Sequence, residues 1–286
     1  MPEGDAVWRT ARRLHTALAG EEIVRSDLRV PSLATVDLSG RRSIAVGPRG
    51  KHLLHRIEGD LTLHSHLRME GRWWTFRTAS HSASADPSRH TVRAVLHTPT
   101  WTAIADSLGM LDLARTSHED RIVGHLGPDL LDPGFDQVLA LDNVMGAPAR
   151  TITEALLDQR NLAGIGTIFA SEPLFLHGIN PWSPVGTIGG SEVAEVIDTA
   201  RSLLISSCRL GRTTITGRSD QLDDAWVHGR VGLACKRCSR PIRLATIGTQ
   251  PQERVMFYCA RCQQGLAPTD DGEPQQPLGH GRKRQQ

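Results

Sequence analysis

The sequence predicts an α+β, multi-domain fold: an N-terminal helix with a β-sandwich, a helical middle domain, and a C-terminal β-hairpin held by cysteines. Three observations predict it. Apolar residues recur at helical spacing over the first 18 positions, short strands punctuated by turn residues follow to about Asp106, and two Cys-x-x-Cys pairs stand near the end. The expected domains are 1–115, 116–225, 226–264 and a disordered tail over 265–286.

Glu3 to about Leu18 reads as an amphipathic helix, with Val7, Ala11, Leu14 and Leu18 on one face and Gly20 ending it. Glu3 and Asp5 suit a helix N-terminus electrostatically. Strands are expected at Ile23–Val30, His52–Ile57, Leu61–Leu67, Trp73–Phe76, Val92–His97 and Thr102–Ala105. Turn signals at Gly47-Pro48, Gly50, Glu58-Gly59-Asp60 and Thr98-Pro99 separate them, so the domain is a sandwich or barrel. Thr78–Arg89, rich in Ser, Ala and His, reads as a mobile loop.

After about Thr116 the pattern turns helical. Thr151-x-x-Glu154 is a capping box, and Asn161 to Thr167 is a glycine-rich turn. A second helix runs through Phe169, Leu174 and Leu176, and a third buries Val193, Val196, Ile197, Ala200, Leu203 and Leu204. Gly164 and Gly166 allow close backbone approach to a partner, and the next helix N-terminus offers N–H groups to a phosphate. A tight turn packed only on itself is the alternative.

Composition bounds the function. The 286 residues carry a net charge of +2, so global charge alone does not mark a nucleic-acid binder. No apolar run approaches the ~18 residues of a membrane span. The charged N-terminus lacks a signal-peptide core, so a cytoplasmic location is expected. In that compartment paired cysteines are metal ligands rather than disulfides. Cys235, Cys238, Cys259 and Cys262 have the spacing of a tetrahedral zinc ribbon around a hairpin, and four thiolates make the zinc structural. Cys208 reads as a buried or free thiol. The cationic residues are nearly all Arg, and Lys51 is the only lysine before Lys236, which singles out a titratable amine unless it survives by chance. Removal of Met1 ahead of the small Pro2 would expose a secondary amine beside Glu3, and such an amine gives a charged iminium directly.

Taken together, Pro2-Glu3-Gly4, Arg49-Gly50-Lys51, Asp60-Leu61-Thr62-Leu63-His64-Ser65-His66, Leu157-Asp158-Gln159 through Gly164-x-Gly166, and Arg254-x-x-x-x-Cys259 resemble the formamidopyrimidine-DNA glycosylase / endonuclease VIII family of base-excision enzymes. The motifs fall in family order over about residues 1–264. The resemblance implies a helix–two-turn–helix middle domain and a hairpin finger. It also implies a monomeric bifunctional DNA glycosylase and AP lyase, bound to damaged DNA at the bacterial nucleoid and to no membrane. Gly4, and the absence of an Asp-Pro-Arg-Arg-Phe-Gly pattern around Ala105–Met110, favour the endonuclease VIII branch and oxidised pyrimidines. The Arg-rich composition fits an actinobacterial source.

The implied catalytic residues are Pro2 (nucleophile), Glu3 (acid and base), Lys51 (cationic proton donor) and Arg254 (grip on the flanking phosphates). Met69 stands where the family inserts a wedge into the hole left by the flipped base, with Arg68 beside it; a buried strand methionine is the alternative. His125, Gly164, Gly166 and Thr167 fall at implied phosphate contacts.

The chain departs from the family pattern. Asp5-Ala6 replaces Pro-Glu, Thr167 replaces Asn, His125 replaces Arg, and Glu70 adds a negative charge beside the wedge. These changes weaken the expected grip on duplex DNA and point to single-stranded, bubble or fork substrates. Two rival readings are an oxidised-purine glycosylase and a non-catalytic damaged-DNA-binding protein.

Overall fold

A computed structural model of the chain describes residues 2–79, 86–216, 224–250 and 253–278. It forms two compact units, Met1–Leu126 and Gly127–Gln286. No helix among the described residues is long and apolar enough to cross a membrane.

In the first unit, helix α1 (Gly4–Leu18) buries Val7, Ala11, Leu14 and Leu18, the face its periodicity predicts. Among the described residues nine strands follow: β1 (Glu22–Ile23), β2 (Arg25–Leu28), β3 (Arg41–Arg49), β4 (His52–Ile57), β5 (Leu61–His66), β6 (Arg72–Arg77), β7 (Val92–His97), β8 (Trp101–Asp106) and β9 (Met110–Arg115). They make two antiparallel sheets, β1-β3-β4-β5-β9 and β2-β7-β8-β6. Leu53, Ile57 and Leu63 of one sheet share a core with Trp73, Leu96 and Ala103 of the other, so the unit is a sandwich rather than a barrel. The Trp73 indole donates to Ser65 Oγ across it at 3.1 Å.

Three sequence expectations change here. The strand expected over Ile23–Val30 breaks at the exposed Val24, where the chain passes from one sheet to the other. The turn signal Gly47-Pro48 lies inside β3. Pro48 is tolerated because β1 pairs only with Arg41 and Arg42, so its missing N–H leaves no ladder bond unmade. The domain boundary expected at 115/116 moves to 126/127. Glu119 explains the shift: it accepts from Arg56 Nε and Nη2 at 2.9 and 2.7 Å and from Thr62 Oγ1 at 2.6 Å, which ties the segment to the first sheet.

His55 is fully enclosed, with Nε2 2.7 Å from Ser43 Oγ, and burial pushes its pKa down to about 4. The unfolded chain therefore binds a proton below the ordinary value near 6.5 that the folded chain refuses. This stability is fully present above that value and is lost as pH falls toward 4, to the extent of about 3 kcal/mol. The denaturation midpoint should fall between pH 7 and pH 4.5, and His55→Gln should flatten that dependence; an unchanged slope in the variant would remove His55 from the account.

The first unit closes with a short helix, α2 (Asp120–Val123); the second contains α3 (Gln137–Met145), α4 (Ile152–Leu157), α5 (Thr167–Leu176), α6 (Gly190–Arg209) and the antiparallel hairpin β10 (Arg243–Ile247) with β11 (Arg254–Tyr258). The capping box forms: Thr151 Oγ1 accepts from Glu154 N, and the Glu154 carboxylate accepts from Thr151 N. Glu172 of α5 is wholly buried and accepts from the backbone N–H groups of Trp226, Val227 and His228 at 2.8, 3.1 and 2.7 Å. It thereby fastens the segment that leads into the cysteine pairs.

The tail expected to be disordered from residue 265 is instead held by hydrogen bonds as far as Gln275. Asp270 takes a two-pronged hydrogen bond from Arg243 and accepts from Tyr258 Oη, while Ala267 N donates to Tyr258 Oη at 3.0 Å. Gln275 pairs with both backbone groups of Leu244 at 2.7 and 2.9 Å. Buried polar partners hold a polar strap that composition reads as disordered. The basic cluster around Lys283 and the centre of the loop over Thr78–Arg89 lie outside the described residues.

Candidate functional site

Glu3 caps the start of α1 with extended backbone and is 2% exposed. Pro2, just before it, lines a cavity together with Met69. Met69 is 66% exposed, on the turn between β5 and β6, so it is not a buried strand methionine. Arg68 takes a positive φ of 52° and donates its backbone N–H to His66 Nδ1 at 2.9 Å, which shapes that turn.

Lys51 sits at a hairpin tip. Arg49 pairs with His52, leaving Gly50 and Lys51 as a two-residue turn, and Gly50 supplies the positive φ of 57° at its first position. Beside it the sheet register gathers histidines. His52 of β4 pairs with His66 of β5, and His64 pairs with Asp112 of β9. His52 Nδ1 lies 2.8 Å from His64 Nε2, and His64 Nδ1 lies 3.6 Å from Asp112 Oδ2. His125 closes the group, its ring centroid 6.5 Å from that of His52.

A carboxylate only accepts, so the proton of neutral His64 belongs on Nδ1. His52 then donates through Nδ1 and presents a bare Nε2, while His66, accepting at Nδ1, carries its proton on Nε2. Burial, with the neighbouring histidines and Lys51, pushes His52 down to about 3; burial, Lys51, Arg68 and His64 push His66 down to about 4. Near neutral pH His52, His64 and His66 are therefore uncharged, and an arriving anion would favour their protonation.

In the second unit the turn between α4 and α5 is stitched by Gln159. Its amide donates to Leu157 O and Ile165 O at 2.9 and 3.0 Å and accepts from Gly164 N at 3.1 Å. Gly164 takes a φ of 96°, Gly166 is the N-cap of α5, and Thr167 is its first residue. Arg254, at the start of β11, lines a cavity of about 380 Å³ with Gln159, Asp158, Arg150 and Arg160. Both Arg150 and Arg160 bind Asp158, at 3.0 and 2.7 Å, and hold its carboxyl well below the usual range.

Cys235, Cys238, Cys259 and Cys262 place their sulfurs within 4.8 Å of one another. Cys235 Sγ lies 3.9 Å from Cys262 Sγ, and Cys238 Sγ lies 3.5 Å from Cys259 Sγ. A disulfide needs about 2.05 Å. A tetrahedron with metal–sulfur bonds of about 2.3 Å has edges of about 3.8 Å, so the set fits a metal ion.

Residues 1–109 match the family profile described as the formamidopyrimidine-DNA glycosylase N-terminal domain, and residues 126–219 match the formamidopyrimidine-DNA glycosylase H2TH domain. The chain is 48% identical over 272 residues to a Streptomyces coelicolor protein named "Probable endonuclease 8 2", covering 95% of this chain and 97% of that one. The chain belongs to the formamidopyrimidine-DNA glycosylase family. A family relative from Mycolicibacterium smegmatis, named "DNA-(apurinic or apyrimidinic site) lyase Nei2", is 41% identical, over 92% of this chain and 99% of its own length. In fold the chain resembles the Lactococcus lactis Fpg protein solved with N7-Benzyl-Fapy-dG containing DNA, with a TM-score of 0.77 at 23% identity, covering 92% of this chain and 100% of that one.

Of the residues the sequence singled out in this family member, the first unit brings Pro2 and Met69 to one cavity and Lys51, His66 and His125 to the histidine cluster. The second unit brings Arg254 to the helix-joining turn and the four cysteines together. Sequence reasoning missed His52, His64 and Asp112 as a chain, and Arg150 and Arg160 as neighbours of Arg254. The alternation His64-Ser65-His66 was the available signal, but only the register of β4 against β5 turns it into a cluster.

Proposed function

We propose that this member of the formamidopyrimidine-DNA glycosylase family is a bifunctional DNA glycosylase and AP lyase of base excision repair that excises oxidised pyrimidines. The observation that carries the proposal is Pro2 opening onto a cavity edged by the exposed Met69, in a chain 48% and 41% identical to proteins named for endonuclease 8 and AP lyase activity. A relative named formamidopyrimidine-DNA glycosylase, from Moorella thermoacetica, stands lower at 33%, which favours the pyrimidine branch.

With Met1 removed, the neutral amine of Pro2 attacks C1′ of the damaged nucleotide, the glycosidic bond breaks, and the base leaves with a proton from Glu3. Glu3 then takes the proton of the substituted amine and passes it to the ring oxygen O4′; the nitrogen lone pair expels O4′, the sugar ring opens, and the C1′–N bond becomes an iminium. Loss of the C2′ proton then feeds electrons into the iminium and expels the 3′-phosphate; a second elimination expels the 5′-phosphate, and water returns the free amine. Lys51 supplies a cation and a proton beside these steps. Arg254 grips the flanking phosphates, joined by Arg68, His125 and the N–H groups from Gly164, Gly166 and Thr167 at the start of α5. Met69 fills the space left in the base stack once the nucleotide is flipped. Zinc held by the four cysteines braces the hairpin that carries Arg254 and takes no part in the chemistry.

The departures at Thr167 and His125 support a preference for single-stranded, bubble or fork DNA. The test is borohydride trapping with DNA carrying an abasic site or an oxidised thymine. A covalent adduct on both is expected; an adduct on neither would leave a damage-binding protein.

A further inference from the structure

The cavity beside Pro2 has a volume of about 350 Å³, within the range of small-molecule sites. One wall is α1, where Ala6, Thr10 and Arg13 follow Pro2 along a single helical face. The small Ala6 leaves this wall open; a longer side chain there would project into the space. Thr10 turns its hydroxyl back onto Ala6 O at 2.8 Å, away from a role as donor to a ligand. At the far end Arg13 Nη2 donates to Trp73 O at 2.7 Å, which fixes a five-donor guanidinium on the rim. The opposite wall carries Glu70 and Arg72, with the Arg72 guanidinium 5.5 Å from the centroid of the Trp74 ring.

A base attached to the carbon that Pro2 attacks must lie within a few ångströms of that amine. In the first unit this cavity adjoins it, and the charged residues lining the cavity are Arg13, Glu70 and Arg72. We propose that the cavity receives the extruded base and selects bases with an imide edge, carbonyl–NH–carbonyl. Arg13 and Arg72 donate to the two carbonyls, and Glu70 accepts from the N–H between them. Oxidised thymines, oxidised uracils and hydantoins carry this edge. A cytosine-derived lesion presents an amino donor in place of one carbonyl, setting donor against donor and leaving the guanidinium without an acceptor.

The inference rests on the glycosylase and lyase reading, and cleavage at an abasic site separates the two because that substrate has no base to recognise. The experiment is single-turnover excision of 5-hydroxyuracil and 5-hydroxycytosine from otherwise identical DNA, with abasic-site cleavage alongside. The wild-type chain should excise 5-hydroxyuracil roughly 10-fold faster or more. Arg13→Leu should bring the ratio close to one, and Ala6→Leu, which fills the cavity, should slow excision of both bases roughly 10-fold. Abasic cleavage should stay within about twofold throughout. Equal excision of the two bases by the wild type overturns the proposal. So does an Ala6→Leu chain that excises normally, or one that loses abasic cleavage in step with excision, which would mean that position 6 acts on the nucleophile. A wild-type chain inactive on abasic DNA would overturn the enzymatic reading itself.

Discussion

A tag left ahead of Pro2 should abolish the borohydride-trapped adduct and slow cleavage of abasic DNA by roughly 10³-fold or more, with DNA affinity little changed. The reason is electronic. Once Pro2 is acylated, its nitrogen lone pair is delocalised into an amide and cannot attack C1′. The remaining parts of the reaction, a proton donor at Glu3 and a cation at Lys51, would still be present, but without an iminium the C2′ proton is not acidic enough to leave. Binding should survive because the residues assigned to grip the strand do not include Pro2: Arg68 on the turn after β5, the N–H groups at the start of α5, and Arg254 on β11. The measurement is trapping yield and single-turnover cleavage, against affinity for an uncleavable abasic analogue. A tagged chain that still traps at full yield would move the nucleophile to another amine, of which Lys51 is the first to test by Lys51→Arg.

The sequence made local elements legible and long-range ones not. The bounds of β4 and β7 were read correctly because His52–Ile57 lies between Gly50 and Gly59 and Val92–His97 runs into Thr98-Pro99. β3 was hidden because its Gly47-Pro48 imitates a turn, and only the shortness of β1 makes that proline harmless in a strand. The packed tail was hidden for a related reason. Asp270 and Gln275 look solvated until Arg243, Tyr258 and Leu244 are known to lie beside them. The candidate site divides in the same way. Cys235, Cys238, Cys259 and Cys262 announce themselves by spacing, and Pro2 by position. The histidine cluster and the cavity wall of Ala6 and Arg13 depend on which strand or turn faces them, and no local pattern carries that information.

Stripping the metal from the four cysteines should weaken DNA binding roughly 10-fold or more while leaving the chemistry at Pro2 intact. Cys259 directly follows β11, the strand that begins with Arg254, and Cys235 and Cys259 share a small core with Phe175, Val227, Ile242 and Phe257. Without a dication, burial and the crowding of the other thiols push Cys259 up to about 11, so this residue has no reason to remain a thiolate. Structural zinc sites of this type stabilise their folds by roughly 10 kcal/mol or more, far beyond what so small a core supplies. The other face of the hairpin keeps its tie through Arg243, Asp270 and Tyr258, so the expected product is a hairpin with a loosened Arg254 end rather than a fully unfolded unit. Metal analysis should find one zinc per chain, and Cys259→Ser should reproduce the effect of chelation. At saturating protein the zinc-free chain should still form the trapped adduct, because Pro2 and Lys51 belong to the other unit. An affinity unchanged in verified zinc-free protein would separate the ribbon from DNA binding, and a trapped adduct lost at saturation would mean that Arg254 acts on the reacting atoms rather than on the grip.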